Sequence, residues 1–153
     1  MNDPLFARLT LATALTAVGS FGFGCAAEAP ATNLPNAANA SPAEAQIARG
    51  QALYGERCAK CHGAAGEGGS AAPVVGAKAL PLDPPAGAKH RTAQFHTAMD
   101  VFTFVKATMP ADAAGTLGDD DVAAILSFDL EANGVAVGKP VDKTAAAGVV
   151  LHK

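Results

Sequence analysis

Cys58-Ala59-Lys60-Cys61-His62, followed by Gly63, places two thiols and an imidazole on one short stretch of chain. Two thiols separated by two residues can each add across a vinyl group of a single porphyrin. A histidine directly after the second thiol is then carried beneath the ring, where its Nε2 can bind iron from the proximal side. This is the attachment pattern of a c-type haem, and it predicts one covalently bound redox cofactor. Two other chemistries use the same residue types. A thioredoxin-like dithiol needs a βαβ setting, whereas the flanks here are alanine-rich and helical in pattern. Zinc could take both thiolates and His62, with His90 or His96 as a fourth ligand, but structural zinc sites draw their ligands from two spaced pairs and the second pair is missing.

A haem iron has a second axial position, and Met109 is the candidate for it. Pro110 follows directly and disfavours helical geometry at Met109, so this residue is expected on an extended turn from which its thioether can reach the iron. A methionine among apolar residues is ordinarily core filler, and it is the haem motif together with Pro110 that distinguishes Met109. Met99 competes as a thioether, but it lies inside a helical pattern and is assigned to packing. His90 or His96 on the iron in place of Met109 would lower the reduction potential.

Composition agrees with a small cofactor-dependent domain. The chain has 153 residues, no Trp and a single Tyr, so its own apolar core is thin and a buried porphyrin would supply much of what is lacking. The formal charge of −3, made more negative by haem propionates, argues against nucleic acid. It favours a weak, salt-sensitive encounter with a basic patch on a partner protein. No catalytic triad, phosphate loop or paired-carboxylate site is present to suggest substrate chemistry.

Three helices are expected to position these residues. Ser41-Pro42-Ala43-Glu44 carries a helix start, with a hydroxyl at the N-cap, proline at the first position and glutamate at the third. From there a helix should run to Arg57 or Cys58, with Ile47, Gly50, Leu53 and Tyr54 on one face. A second helix is expected from about Thr97 to Ala107, carrying Val101, Phe102, Phe104 and Val105. The third starts near Gly118-Asp119-Asp120-Asp121, where three carboxylates complement the helix dipole, and stops at Asn133-Gly134 with Val122, Ile125 and Phe128 on its buried side.

The two ends differ from this middle. Residues 1–25 read as an export signal, with Arg8 before an apolar stretch from Leu9 to Phe23 that is too short and too rich in small residues for a membrane span. Cys25 closes that stretch. Gly22-Phe23-Gly24-Cys25 is similar to a lipobox, so Cys25 is either lipidated and a membrane tether, removed by cleavage after Ala26 or Ala27, or left as a free thiol. Residues 26–40, with Pro30, Pro35 and several asparagines, have no apolar periodicity and read as a flexible linker. Residues 135–153 form a C-terminal extension beyond the third helix.

The order of helix, Cys-x-x-Cys-His-Gly, long loop, short helix, Met-Pro and final helix resembles the class I monohaem cytochromes c over residues 41–134. The resemblance implies an all-α fold of about three main helices packed around one covalently bound haem c. It places Gly50 and Tyr54 of the first helix across Ile125 and Phe128 of the last, with the glycine allowing the two backbones to approach closely. It implies thioether links at Cys58 and Cys61, with His62 and Met109 on the iron. The Pro73 carbonyl is implied as the acceptor for the His62 Nδ1–H. In function it implies an exported, periplasmic electron carrier rather than an enzyme. Such a carrier moves single electrons between a dehydrogenase or membrane complex and a terminal acceptor such as an oxidase. The alternative is a haem enzyme or gas sensor with an open distal position. The extension is similar to tails of small cytochromes that accompany quinoprotein dehydrogenases. Lys78 to Gln94 matches no family motif, and its Lys89-His90-Arg91 is expected as an exposed basic turn.

Overall fold

The computed structural model describes residues 39–152. The expected export segment, Cys25 and all but the last two residues of the expected linker lie outside the described residues. Among the described residues five helices follow in order: α1 (Pro42–Arg57), α2 (Ala59–His62), α3 (Ala98–Thr108), α4 (Asp119–Ala132) and α5 (Lys143–Gly148). Among the described residues there is no strand, only one isolated bridge between Thr97 and Val150. No helix among them is long and apolar enough to cross a membrane.

Local chemistry fixes the starts of the helices. Ser41 and Glu44 form a reciprocal capping box on α1, with Glu44 N donating to Ser41 Oγ at 3.3 Å and Ser41 N donating to Glu44 Oε2 at 2.7 Å. At α3, Asp100 Oδ2 accepts from Thr97 N at 2.8 Å and from Thr97 Oγ1 at 3.0 Å. The three aspartates opening α4 do more than complement its dipole. Asp119 pairs with Lys143 at 2.7 Å and Lys106 at 3.2 Å, and Asp121 pairs with Arg49. These pairs are partly exposed, so each contributes little singly, but together they link α1, α3 and α5 to one end of α4.

The α1–α4 crossing sets the frame of the molecule. A Cβ built on Gly50 would overlap the carbonyl oxygen of Ala124 and lie 2.5 Å from its carbon. Backbone therefore lies against backbone at this point. Four residues further along each helix, the rings of Tyr54 and Phe128 meet with centroids 5.2 Å apart at 48°. Ala would ordinarily favour a helix over Gly by up to ~1 kcal/mol. Here Gly50→Ala is expected to destabilise the protein by about 2 kcal/mol or more, because the obstructing atoms are main chain and cannot rotate away. Thermal unfolding of the haem-loaded protein measures this.

The core lies between α3 and α4 and includes Val101, Phe102, Leu117, Val122, Ile125 and Leu130. The stretch after Gly134 packs into this same core rather than trailing from it. Val141 is buried, and its backbone is held by the Gln46 side chain, which donates from Nε2 to Val141 O at 2.8 Å and accepts from Val141 N at 2.7 Å. Further on, Ala98 N donates to Val149 O at 2.9 Å and Leu151 N to His96 O at 2.8 Å. His152 Nε2 lies 2.7 Å from Leu80 O, and so donates to it. The tail thus runs from α4 past α1 to α3 and the long loop.

Within that loop Arg91 is not on an exposed turn, as expected, but buried. Its guanidinium lies 3.4 Å from the centre of the Phe95 ring and donates to the carbonyls of Ala93, Pro81 and Leu82. Three carbonyls and an aromatic face satisfy a cation that would otherwise be costly to enclose. Lys89 and His90 remain exposed.

Asp129 is the other buried ion, 5 % exposed on α4. Burial pushes its carboxyl up to about 7 from 3.8. The folded state therefore holds this proton more tightly than the unfolded chain does. The resulting stability is complete below the unfolded value and is lost as pH rises through about 7. Asp129→Asn is accordingly expected to raise the melting temperature of the loaded protein by several degrees above neutral pH, and to leave it nearly unchanged in mild acid.

Candidate functional site

α1 and α2 meet at Cys58, which is at once the C-cap of the first helix and the N-cap of the second, with φ −119° and ψ −38°. Its N–H donates to Tyr54 O at 2.8 Å, and its own carbonyl accepts from His62 N at 3.0 Å. One helical turn therefore carries Cys58, half-buried, Cys61, exposed, and His62, half-buried. Neither cysteine forms a disulfide. Burial, then the charges of Asp129 and Cys61, push the Cys58 thiol up to about 11. A reactive dithiol requires the opposite shift. His96 does not turn toward the pair; its Nε2 faces Gln94 Oε1 at 3.1 Å. Among the described residues no three His, Cys, Asp or Glu side chains converge on a metal-sized site.

His62 Nδ1 lies 2.7 Å from the carbonyl oxygen of Ala72. A carbonyl can only accept, so Nδ1 carries a proton, and in the neutral ring it is Nε2 that offers the lone pair an iron ligand needs. The expected acceptor, Pro73, is corrected to its predecessor. Proline restricts the residue before it to extended geometry, so Pro73 orients the carbonyl of Ala72 rather than supplying its own.

The loop that brings Ala72 back is tied to the motif by backbone bonds. His62 O accepts from Gly68 N at 2.7 Å, Cys61 O from Ala71 N at 2.9 Å, and Gly66 O from Val74 N and Val75 N at 2.8 and 2.9 Å. Gly63 has φ +87°, and a Cβ there would sit 2.8 Å from the main-chain oxygen of Gly68, so the glycine after the histidine is required on both conformational and steric grounds. Two side chains hold this loop from behind. Tyr54 Oη donates to Gly63 O at 2.8 Å. Asn133 donates from Nδ2 to Val74 O at 2.8 Å and accepts at Oδ1 from Gly76 N at 3.0 Å. Sequence reasoning treated Asn133 only as a helix stop. The signal for its second role is weak: a carboxamide at a helix end has both a donor and an acceptor to offer a neighbouring loop.

Met109 is the C-cap of α3, with φ −116° and ψ 151°, and its N–H donates to Val105 O at 2.9 Å. It has left the helix and is extended, as the following proline requires. Met99 lies within α3 and packs against the core. The donor set fits an iron porphyrin: two thiols one turn apart, an imidazole with a free Nε2, and a thioether on an extended turn. Half-buried Leu53, Leu80, Phe104 and Val105 supply apolar surface beside the core.

The family model described as cytochrome c oxidase, cbb3-type, subunit III matches residues 45–128, more than half of the chain. The chain belongs to this family. The matched span runs from the first turn of α1 to Phe128 in α4 and contains the Cys-x-x-Cys-His motif and Met109. A solved structure, the sulfane dehydrogenase SoxCD from Paracoccus pantotrophus, is similar at 25% identity and a TM-score of 0.51, covering 77% of this chain and 68% of that one. No curated protein sequence matches significantly. The cytochrome c fold and cofactor follow from family membership: an all-α class I domain that binds covalently attached haem c with its iron.

Proposed function

We propose that this cytochrome is a single-electron carrier and not an enzyme, with thioether links at Cys58 and Cys61 and with His62 Nε2 and Met109 Sδ as the two axial ligands. The observation that carries the reading is the 2.7 Å contact from His62 Nδ1 to Ala72 O, which leaves the other ring nitrogen free on the same turn as both thiols. When bound, the haem supplies reversible one-electron chemistry at iron. The chain's own residues do the rest. Ala72 fixes the imidazole and raises its basicity. Tyr54 and Asn133 hold the loop that presents Ala72. The apolar side chains of α1 and α3 exclude water.

The partners are redox proteins, a dehydrogenase or membrane complex as donor and an oxidase or similar acceptor, with no role for nucleic acid. The matching family is an oxidase subunit and the similar solved structure is a dehydrogenase, and both support redox assemblies as the setting. Export to the periplasm, directed by residues 1–25, with a tether through a lipidated Cys25, belongs to the same reading. Covalent haem suits it, since attachment takes place outside the bacterial cytoplasm.

Two strong axial ligands leave no position for substrate. Carbon monoxide should therefore leave the ferrous optical spectrum unchanged. A clear shift would mean an open distal site and would favour a haem enzyme or gas sensor instead.

A further inference from the structure

Asp129 lies on the buried side of α4, in helical register with Val122 and Ile125. Its Oδ1 is enclosed and has no hydrogen-bond partner. The two other buried polar side chains among the described residues are satisfied: Arg91 by three carbonyls, and Ser127 Oγ by Ala123 O at 2.9 Å and Gln46 Oε1 at 2.8 Å. An enclosed carboxylate without a donor is costly, and it is neutralised by a proton where no cation is available.

The groups around it offer no such cation. Tyr54 and Cys58 feel its charge from α1 and the α1–α2 junction. The Tyr54 hydroxyl is committed to Gly63 O, and the Asn133 amide to Val74 O and to the backbone carbonyl of Asp129 itself. The cations packed against α4 from α1 and α3 are engaged at its opposite end, Arg49 with Asp121 and Lys106 with Asp119. Glu67, in the loop after the motif, accepts from Ala65 N. Burial alone sets the Asp129 carboxyl near neutrality.

We propose that Asp129 takes up a proton from solvent when the cytochrome accepts an electron and releases it when the electron leaves. This rests on the reading that Cys58, whose thiol senses the Asp129 charge, carries a haem link. The balance is simple. One electron arrives from the donor protein, one proton arrives from water, and the carboxylate becomes a carboxylic acid; oxidation reverses each change. An added negative charge in a low-dielectric interior raises the proton affinity of a nearby carboxylate. By reciprocity the proton raises the affinity for the electron by the same factor. A tenfold coupling is expected, which for one electron corresponds to a midpoint potential falling by about 59 mV as pH rises through neutrality.

Spectroelectrochemical titration of the loaded protein from about pH 5 to pH 9 tests this. The parent should show the fall, and Asp129→Asn should be flat over the same range. An unchanged slope in Asp129→Asn assigns the proton to another group, such as a propionate, and overturns the proposal, as does a flat parent. Should the variant fail to fold, redox-difference infrared spectra of the parent decide. A protonated-carboxyl C=O band that appears on reduction and shifts in D2O supports the proposal, and absence of that band sinks it. Failure of the underlying haem assignment is distinguishable, because the protein would then have no haem absorbance to titrate.

Discussion

Replacing Met109 with alanine should lower the midpoint potential by at least ~100 mV, a modest part of the ~0.8 V range over which axial ligands move haem potentials. The thioether stabilises the reduced iron, and alanine leaves water or nothing in its place. The same variant should acquire a carbon monoxide-induced shift in its ferrous spectrum that the parent lacks. Folding should be less affected than the spectrum. Met109 lies just beyond the last turn of α3, half-buried, while the capping box and core residues of that helix stay intact. Spectroelectrochemistry with and without carbon monoxide measures both effects. If potential and spectrum stay unchanged, Met109 is not the distal ligand, and Met99, His90 and His96 become the residues to replace.

The second large effect is expected from Cys58→Ser together with Cys61→Ser. Without both thiols no thioether can form, and the protein made with haem maturation factors should carry no covalent haem. It should also be poorly folded. The core between α3 and α4 is small, and side chains packed beside it, Leu53, Phe104 and Val105 among them, are only half-buried. The missing apolar contact area is what a small domain can least do without. Far-ultraviolet circular dichroism and limited proteolysis read this outcome directly. A well-folded double variant would show that the chain closes its core without the cofactor.

Features governed by local chemistry were legible in the sequence. Ser41 and Glu44 announce the start of α1, Pro110 forces Met109 out of α3, and Asn133-Gly134 ends α4, because each acts on backbone atoms within a few residues. Gly50 and Tyr54 crossing Ile125 and Phe128 follow from helical spacing together with the family resemblance, although the main-chain atoms nearest Gly50 belong to Ala124, one residue earlier. What stayed hidden depends on the path of loops. The acceptor for His62 is a main-chain carbonyl, which any residue can supply, so the shift from Pro73 to Ala72 has no sequence signature. Arg91 is buried by carbonyls from two separate stretches, and charge alone suggested exposure. The attachment of the tail through Gln46 spans 95 residues, a contact that no local pattern encodes. Asp129 occupies an apolar register position of α4, where a carboxylate breaks the helical pattern rather than following from it.

The most direct test of the account is a pyridine haemochrome spectrum of the matured protein, paired with intact mass and thiol alkylation. A haem joined to both cysteines gives a c-type spectrum that survives denaturation, a mass increased by one haem, and Cys58 and Cys61 both refractory to alkylation. A colourless protein with both thiols alkylated, or pigment that extracts into acidified solvent, would contradict it.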